Sequence, residues 1–177
     1  MPHPLVLQLR FTRSEFKRAL RGLTAAEACK RFMPMNCISW NVGHLAWQEQ
    51  RYFLFYGQDQ MPLPHIDTLF ASGAPGNKPA LAAMWTAWDE ITQAADPWLN
   101  TLTSATLLQH VVRNGKRTPY LFGSLLQRVI YHYWYHIGEN MAIRQRLGHT
   151  RLPQFVGDLD GQAPYQPDRA RPKRRAA

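Results

Sequence analysis

His132 and His136 stand four residues apart in the run Val129-Ile-Tyr-His-Tyr-Trp-Tyr-His-Ile-Gly-Glu139. On a helix this spacing stacks two imidazoles on one face, with ~5–6 Å between their β-carbons. Both rings can then reach a single metal ion at ~2.0–2.1 Å. Glu139 follows three residues later on the same face, where a carboxylate suits a further ligand, an acceptor behind a ligand, or a general base. A third imidazole from another helix would complete a site, and His44 lies between Trp40 and Trp47 in a strongly apolar stretch. Inward side chains from facing helices are how metal sites are built in helical bundles. The same pair also suits two hydrogen-bonded histidines in a partly buried aromatic setting, and residue types alone leave both readings open.

Other groups carry less. Glu49 is five residues from His44, about 140° around a helix of 3.6 residues per turn, so it is expected at the helix surface or a bundle interface rather than on the metal. Trp40, Trp47, Trp85, Trp88 and Trp134 suit core packing or a dimer seam better than a substrate cavity. Arg128, Arg144 and Arg146 read as helix-surface charges. His3, His65, His110 and His149 read as structural or exposed. No Gly-rich phosphate loop, GxSxG elbow or Cys/His nucleophile pattern is present.

The elements that must hold these side chains are mostly helices. Leu5, Leu9, Phe16, Leu20 and Leu23 fall on one side of a helix over about 5–21. Thr24 and Glu27 have the spacing of a capping box, opening a short helix that must stop before Pro34. A third helix, capped by Asn36 or Ser39, is expected to run to about Tyr56 and close at Gly57; it is apolar around most of its circumference and so central. Residues 57–78, with Pro62, Pro64, Gly73, Pro75 and Gly76, read as a long surface connection, a rim or lid beside a site. Leu81, Met84, Trp85, Trp88, Ile91, Ala95 and Leu99 predict a helix over 79–100 that Pro97 kinks or ends near Asp96. Asn114-Gly115 marks a small hairpin. Thr118-Pro119 is expected to open the last long helix, with Thr as cap and Pro in its first turn, continuing to Leu147 before Gly148.

The chain of 177 residues carries a formal charge of +9. Residues 1–31 hold seven basic and two acidic side chains, 32–167 are neutral, and 168–177 hold five basic residues and one acid. The excess therefore belongs to the two ends, and nucleic acid is not the expected partner. Two prolines and the lack of apolar residues mark 166–177 as a basic, flexible tail after a single domain over 1–165. Two cysteines eight residues apart, Cys29 and Cys37, make no disulfide framework and point to a reducing compartment. With no secretory signal and no apolar run near the ~20 residues of a membrane helix, a cytoplasmic protein without membrane contact is expected.

Three stretches resemble the DinB/YfiT-like family: Asn36-Cys-Ile-Ser-Trp-Asn-Val-Gly-His44-Leu-Ala-Trp-Gln-Glu49, His132-Tyr-Trp-Tyr-His136-Ile-Gly-Glu139, and Ile143-Arg-Gln-Arg-Leu-Gly148-His. The segment Leu152-Pro-Gln-Phe-Val-Gly157 is similar to the ending of many members, and the resemblance covers about 1–165. It implies an all-α, up-down-down-up four-helix bundle with at most a minor hairpin, often homodimeric. By position it makes His44, His132 and His136 the ligands of a divalent metal, typically Zn or Ni. Glu139 is then a base or a carboxylate behind a ligand. The better-understood relatives are metal-dependent transferases or isomerases that use a low-molecular-weight thiol, and a related hydrolase would need the same metal. The implied activity is thiol transfer to a small electrophile. The alternative is a non-enzymatic, homodimeric metal-binding or stress-related protein whose metal is structural.

Overall fold

The structure is a computed structural model that describes residues 1–154 and 156–167. The expected basic tail lies almost wholly outside the described residues. The chain is mostly helical, with one two-stranded hairpin. In order it forms α1 (Pro4–Ala19), α2 (Ala25–Ala28), α3 (Ile38–Glu49), a π-helical segment (Gln50–Phe55), α4 (Tyr56–Gln58), α5 (Pro64–Phe70), α6 (Leu81–Leu99) and α7 (Ser104–Leu107). Then come β1 (His110–Arg113), β2 (Lys116–Leu121), α8 (Phe122–Arg146) and α9 (Leu159–Gln162).

The first two helices follow their local chemistry. Pro4 sits in the first turn of α1, and the His3 side chain accepts the Leu5 N–H as its cap. Thr24 and Glu27 form the reciprocal capping box at the start of α2. Val6, Leu9 and Phe16 of α1 are fully buried, and α1 packs against α8 while α3 packs against α6, α5 and α8. Every residue of α3 is buried, so this helix is the centre of the core.

Five local expectations are corrected. The N-cap of α3 is Cys37, with no side-chain cap hydrogen bond, rather than Asn36 or Ser39. The helix does not run regularly to Gly57. It passes into the π-helical segment and closes at Asp59, whose φ of 57° is left-handed. Gly57 instead allows a close approach, since a β-carbon there would lie 2.7 Å from the Trp98 ring. The connection over 57–78 is not all loop, because α5 forms within it and buries Ile66 and Phe70.

Pro97 does not end α6, which continues through Leu99. Lastly, Thr118 and Pro119 belong to β2, and α8 begins at Phe122. A two-stranded sheet has only edge strands, where a proline without an N–H is tolerated. The hairpin turn is as expected: Asn114 and Gly115 both have positive φ, 50° and 70°, the pattern of a type I′ turn. Among the described residues, no helix is long and apolar enough to cross a membrane.

Candidate metal centre

Two helices bring three imidazoles together. His44 projects from α3, and His132 and His136 project one turn apart from α8. One ring nitrogen of each lies within 4.8 Å of one nitrogen of the others. Ring centroids are 4.9 Å apart for His44–His132, 5.3 Å for His44–His136 and 4.5 Å for His132–His136. Such a group can hold one metal ion.

The backbone and a carboxylate decide which nitrogens are free. Nδ1 of His44 lies 2.6 Å from the carbonyl oxygen of Phe70. A carbonyl only accepts, so Nδ1 carries the proton and Nε2 keeps its lone pair. Nδ1 of His136 lies 2.7 Å from Oε2 of Glu139, which assigns its proton in the same way. Nε2 of His136 and Nε2 of His132 are 3.0 Å apart, close to the separation of two nitrogens that both lie ~2.0–2.1 Å from one ion. Nδ1 of His132 is buried and has no hydrogen-bond partner among the described residues.

Burial keeps His44 and His132 neutral. His44 is 7% exposed and stacked between Trp40 and Trp47, at centroid distances of 4.8 and 5.1 Å. Burial pushes its pKa down to about 4, with the Phe70 carbonyl opposing and the neighbouring His136 adding to the fall. Burial also pushes His132 down to about 3, reinforced by His136 and His44. Neutral imidazoles are the metal-binding form. The cluster reaches the surface beside Tyr135, which is exposed and packs edge-on against His136.

Glu139 stands behind the cluster. Its Oε2 accepts from His136 and also from Nδ2 of Asn41, at 3.0 Å, and the same Asn41 amide donates to Oδ1 of Asn140 at 2.8 Å. A carboxylate held behind a ligating histidine fixes ring orientation and raises ligand basicity. Asn41 and the Phe70 carbonyl were not legible as site groups from motif spacing. Asn41 had one available signal, its position three residues before His44 on the same helix.

Glu49 is an interface carboxylate and not a surface one. It is fully buried and receives Nε and Nη2 of Arg13 from α1 and the Tyr133 hydroxyl from α8, the last at 2.7 Å. Tyr133 in turn accepts the Trp88 indole N–H at 2.6 Å, and Nη1 of Arg13 reaches Asp96 at 2.8 Å. Burial works against the Arg13 charge, but Glu49 outweighs it and raises that pKa. Burial drives the Tyr133 pKa well above its ordinary value. The network therefore ties α1, α3, α6 and α8 together, away from the histidines.

The remaining histidines are structural or exposed. His3 caps α1, His65 is exposed on α5, His110 bonds the Thr118 carbonyl, and His149 lies between Arg144 and Glu27. The family model of the DinB superfamily matches residues 8–139, well over half of the chain. The chain belongs to the DinB superfamily. The match begins in α1 and ends at Glu139, so this DinB protein carries all four candidate site residues inside the family region. No curated protein matches the chain.

Proposed function

We propose that this DinB protein is a divalent-metal enzyme that transfers a low-molecular-weight thiol to a small electrophile. The observation that carries the reading is the convergence of His44, His132 and His136, with two Nε2 lone pairs freed by Phe70 and Glu139. The donor set fits a borderline ion such as Zn or Ni, for which neutral imidazole is a preferred ligand. The 3.0 Å between Nε2 of His132 and Nε2 of His136 fits as well, being close to the separation of two nitrogens that share one ion.

His44, His132 and His136 would hold the ion, and Glu139 would orient His136 rather than bind, since its Oε2 already accepts from His136 and Asn41. Three protein ligands leave room for an exogenous one, the pattern of catalytic rather than structural sites. When bound, a divalent ion supplies Lewis acidity that brings a coordinated thiol or water to its anionic form near neutral pH. The protein's own residues exclude water from one side through Trp40 and Trp47 and leave the Tyr135 side open for a small substrate. Glu139, partly exposed at the same edge, is placed to take a proton.

The wider proposal is a cytoplasmic homodimer whose four long helices, α1, α3, α6 and α8, make an up-down-down-up bundle over residues 1–165. The test is a panel of thiols and electrophiles assayed with metal-loaded wild type and with His136→Ala. Turnover that requires both metal and His136 supports the transferase reading. Full metal loading with no thiol consumption across the panel favours a structural metal, and equal metal content in His136→Ala overturns the site.

A further inference from the structure

Two thiols outside the histidine cluster converge on one hydroxyl. Cys29, the C-cap of α2, has its Sγ 3.7 Å from Oγ of Ser39, and Cys37, the N-cap of α3, has its Sγ 3.2 Å from the same oxygen. Both cysteines are free. Each donates its single S–H to a carbonyl of the segment entering α6: Cys29 to Pro79 at 3.2 Å and Cys37 to Asn77 at 3.4 Å. Cys37 is fully buried, whereas Cys29 is partly exposed.

We propose that Cys29 and Cys37 form a redox pair that closes to an intramolecular disulfide when a peroxide oxidises Cys29. The asymmetry of exposure assigns the order of events. The Cys29 thiol is oxidised by one peroxide to a sulfenic acid, releasing one water. The Cys37 sulfur then attacks the Cys29 sulfur, the S–O bond breaks, and the hydroxyl leaves with the Cys37 proton as a second water. Two thiols lose two electrons and the peroxide gains them, so no further reactant is needed.

Only a short loop, residues 30–36, joins the two cysteines, so the chain cost of bringing them together is small. Arg31 already holds that loop, donating to the carbonyls of Met35 and Gly76 and to Oδ1 of Asn36. The Ser39 hydroxyl is the shared neighbour of the two sulfurs and has to turn aside for them to meet. Closure also has a structural consequence. A disulfide has no S–H, so the Asn77 and Pro79 carbonyls lose their donors and the segment leading into α6 is loosened.

The experiment treats reduced full-length protein with stoichiometric hydrogen peroxide, blocks remaining thiols, and digests without reductant. Trypsin cuts after Arg21, Lys30, Arg31 and Arg51, so closure joins peptide 22–30 to peptide 32–51. The expected result is an intact chain lighter by two hydrogens, that linked pair, and its loss on adding dithiothreitol. Faster amide exchange over 76–80 in the oxidised protein is expected alongside. Accumulation of sulfinic acid on Cys29, or disulfides only between chains, would overturn the proposal. Because Cys37→Ser alters a buried position, Cys29→Ser provides the second test: its Cys37 is expected to resist peroxide. Oxidation of Cys37 in that variant at the wild-type rate would overturn the assigned order and the proposal with it.

Discussion

His44 and His136 are each set by one neighbouring group, and single substitutions separate the contributions at the centre. His136→Ala is expected to lose the tightly bound divalent ion, read as metal-to-protein stoichiometry falling from near one to near zero. Glu139→Ala should keep the fold but weaken metal affinity by ~10–100-fold, the usual cost of removing a carboxylate behind a ligating histidine. Glu139→Gln should lose less, since its amide oxygen can still accept from Nδ1 of His136. The metal-free protein has a pH signature. His44 and His132 titrate near 4 and 3 when folded and near 6.5 when unfolded. Between those values the unfolded chain binds more protons, so stability falls as pH drops below about 6.5 and the loss levels off below the folded values. At pH 5 the loss should be on the order of 1–2 kcal/mol per histidine, measured by urea denaturation at pH 7 and pH 5. Salt-bridged Glu15 and Glu27, both held below the ordinary carboxylate range, add their own loss only at lower pH. Stability equal at pH 7 and 5 would contradict neutral, buried imidazoles.

At the scale of elements, α3 is held from both sides. Gly43, next to His44, lets α3 approach α5 and α6: a β-carbon there would lie 2.7 Å from Sδ of Met84 and 2.8 Å from Cδ1 of Phe70. Gly43→Ala is therefore expected to destabilise by about 1–3 kcal/mol through overpacking. It should also weaken metal binding, because the displaced Phe70 carries the carbonyl that orients His44. Thermal unfolding and a metal titration read the two effects separately. On the other side, the Arg13–Glu49–Tyr133 network fixes α1 and α8 against α3. Removing the cation with Arg13→Met leaves Glu49 buried and uncompensated, which costs about 3–5 kcal/mol in such sites. Tyr133→Phe keeps the ring but strands the Trp88 N–H, while Oε1 of Glu49 still accepts from Nε of Arg13, for a smaller expected loss of about 1–3 kcal/mol. Urea midpoints should rank the two in that order.

At the scale of the whole molecule, the site and its supports form one continuous unit. The three histidines, the Phe70 carbonyl and Glu139 that orient two of them, and Asn41 behind Glu139 come from α3, α5 and α8, all between residues 38 and 146. A chain ending at Pro167 is therefore expected to keep the thermal midpoint and the metal stoichiometry of the full chain. It removes five basic residues and one acid, taking the net charge from +9 to about +5. Any salt-sensitive binding to anionic polymers that disappears with those residues belongs to the end of the chain and not to the metal centre.

Much of this was legible before any fold was known, for reasons that are local. The four-residue step from His132 to His136 sets two rings on one helix face whatever the helix packs against. The apolar circumference of 38–49 made a buried helix around His44 the natural reading, and Asn114-Gly115 dictated a hairpin turn. Other features depend on contacts between distant residues. Thr118-Pro119 suits a helix start and an edge strand equally, and pairing with β1 decided for the strand. The π-helical turn at 50–55 has no periodic signature of its own. Glu49 could be assigned to a face by its spacing, but not to Arg13 and Tyr133, which are remote in sequence and meet it only once α1 and α8 pack on α3. Residue types and periodicity were enough for the three histidines, the helices that carry them and the four-residue step between two of them. Only the tertiary structure decided that a backbone carbonyl at the end of α5 and a carboxylate on α8 would point two lone pairs at the same place, because hydrogen bonds across elements are set by packing and not by periodicity.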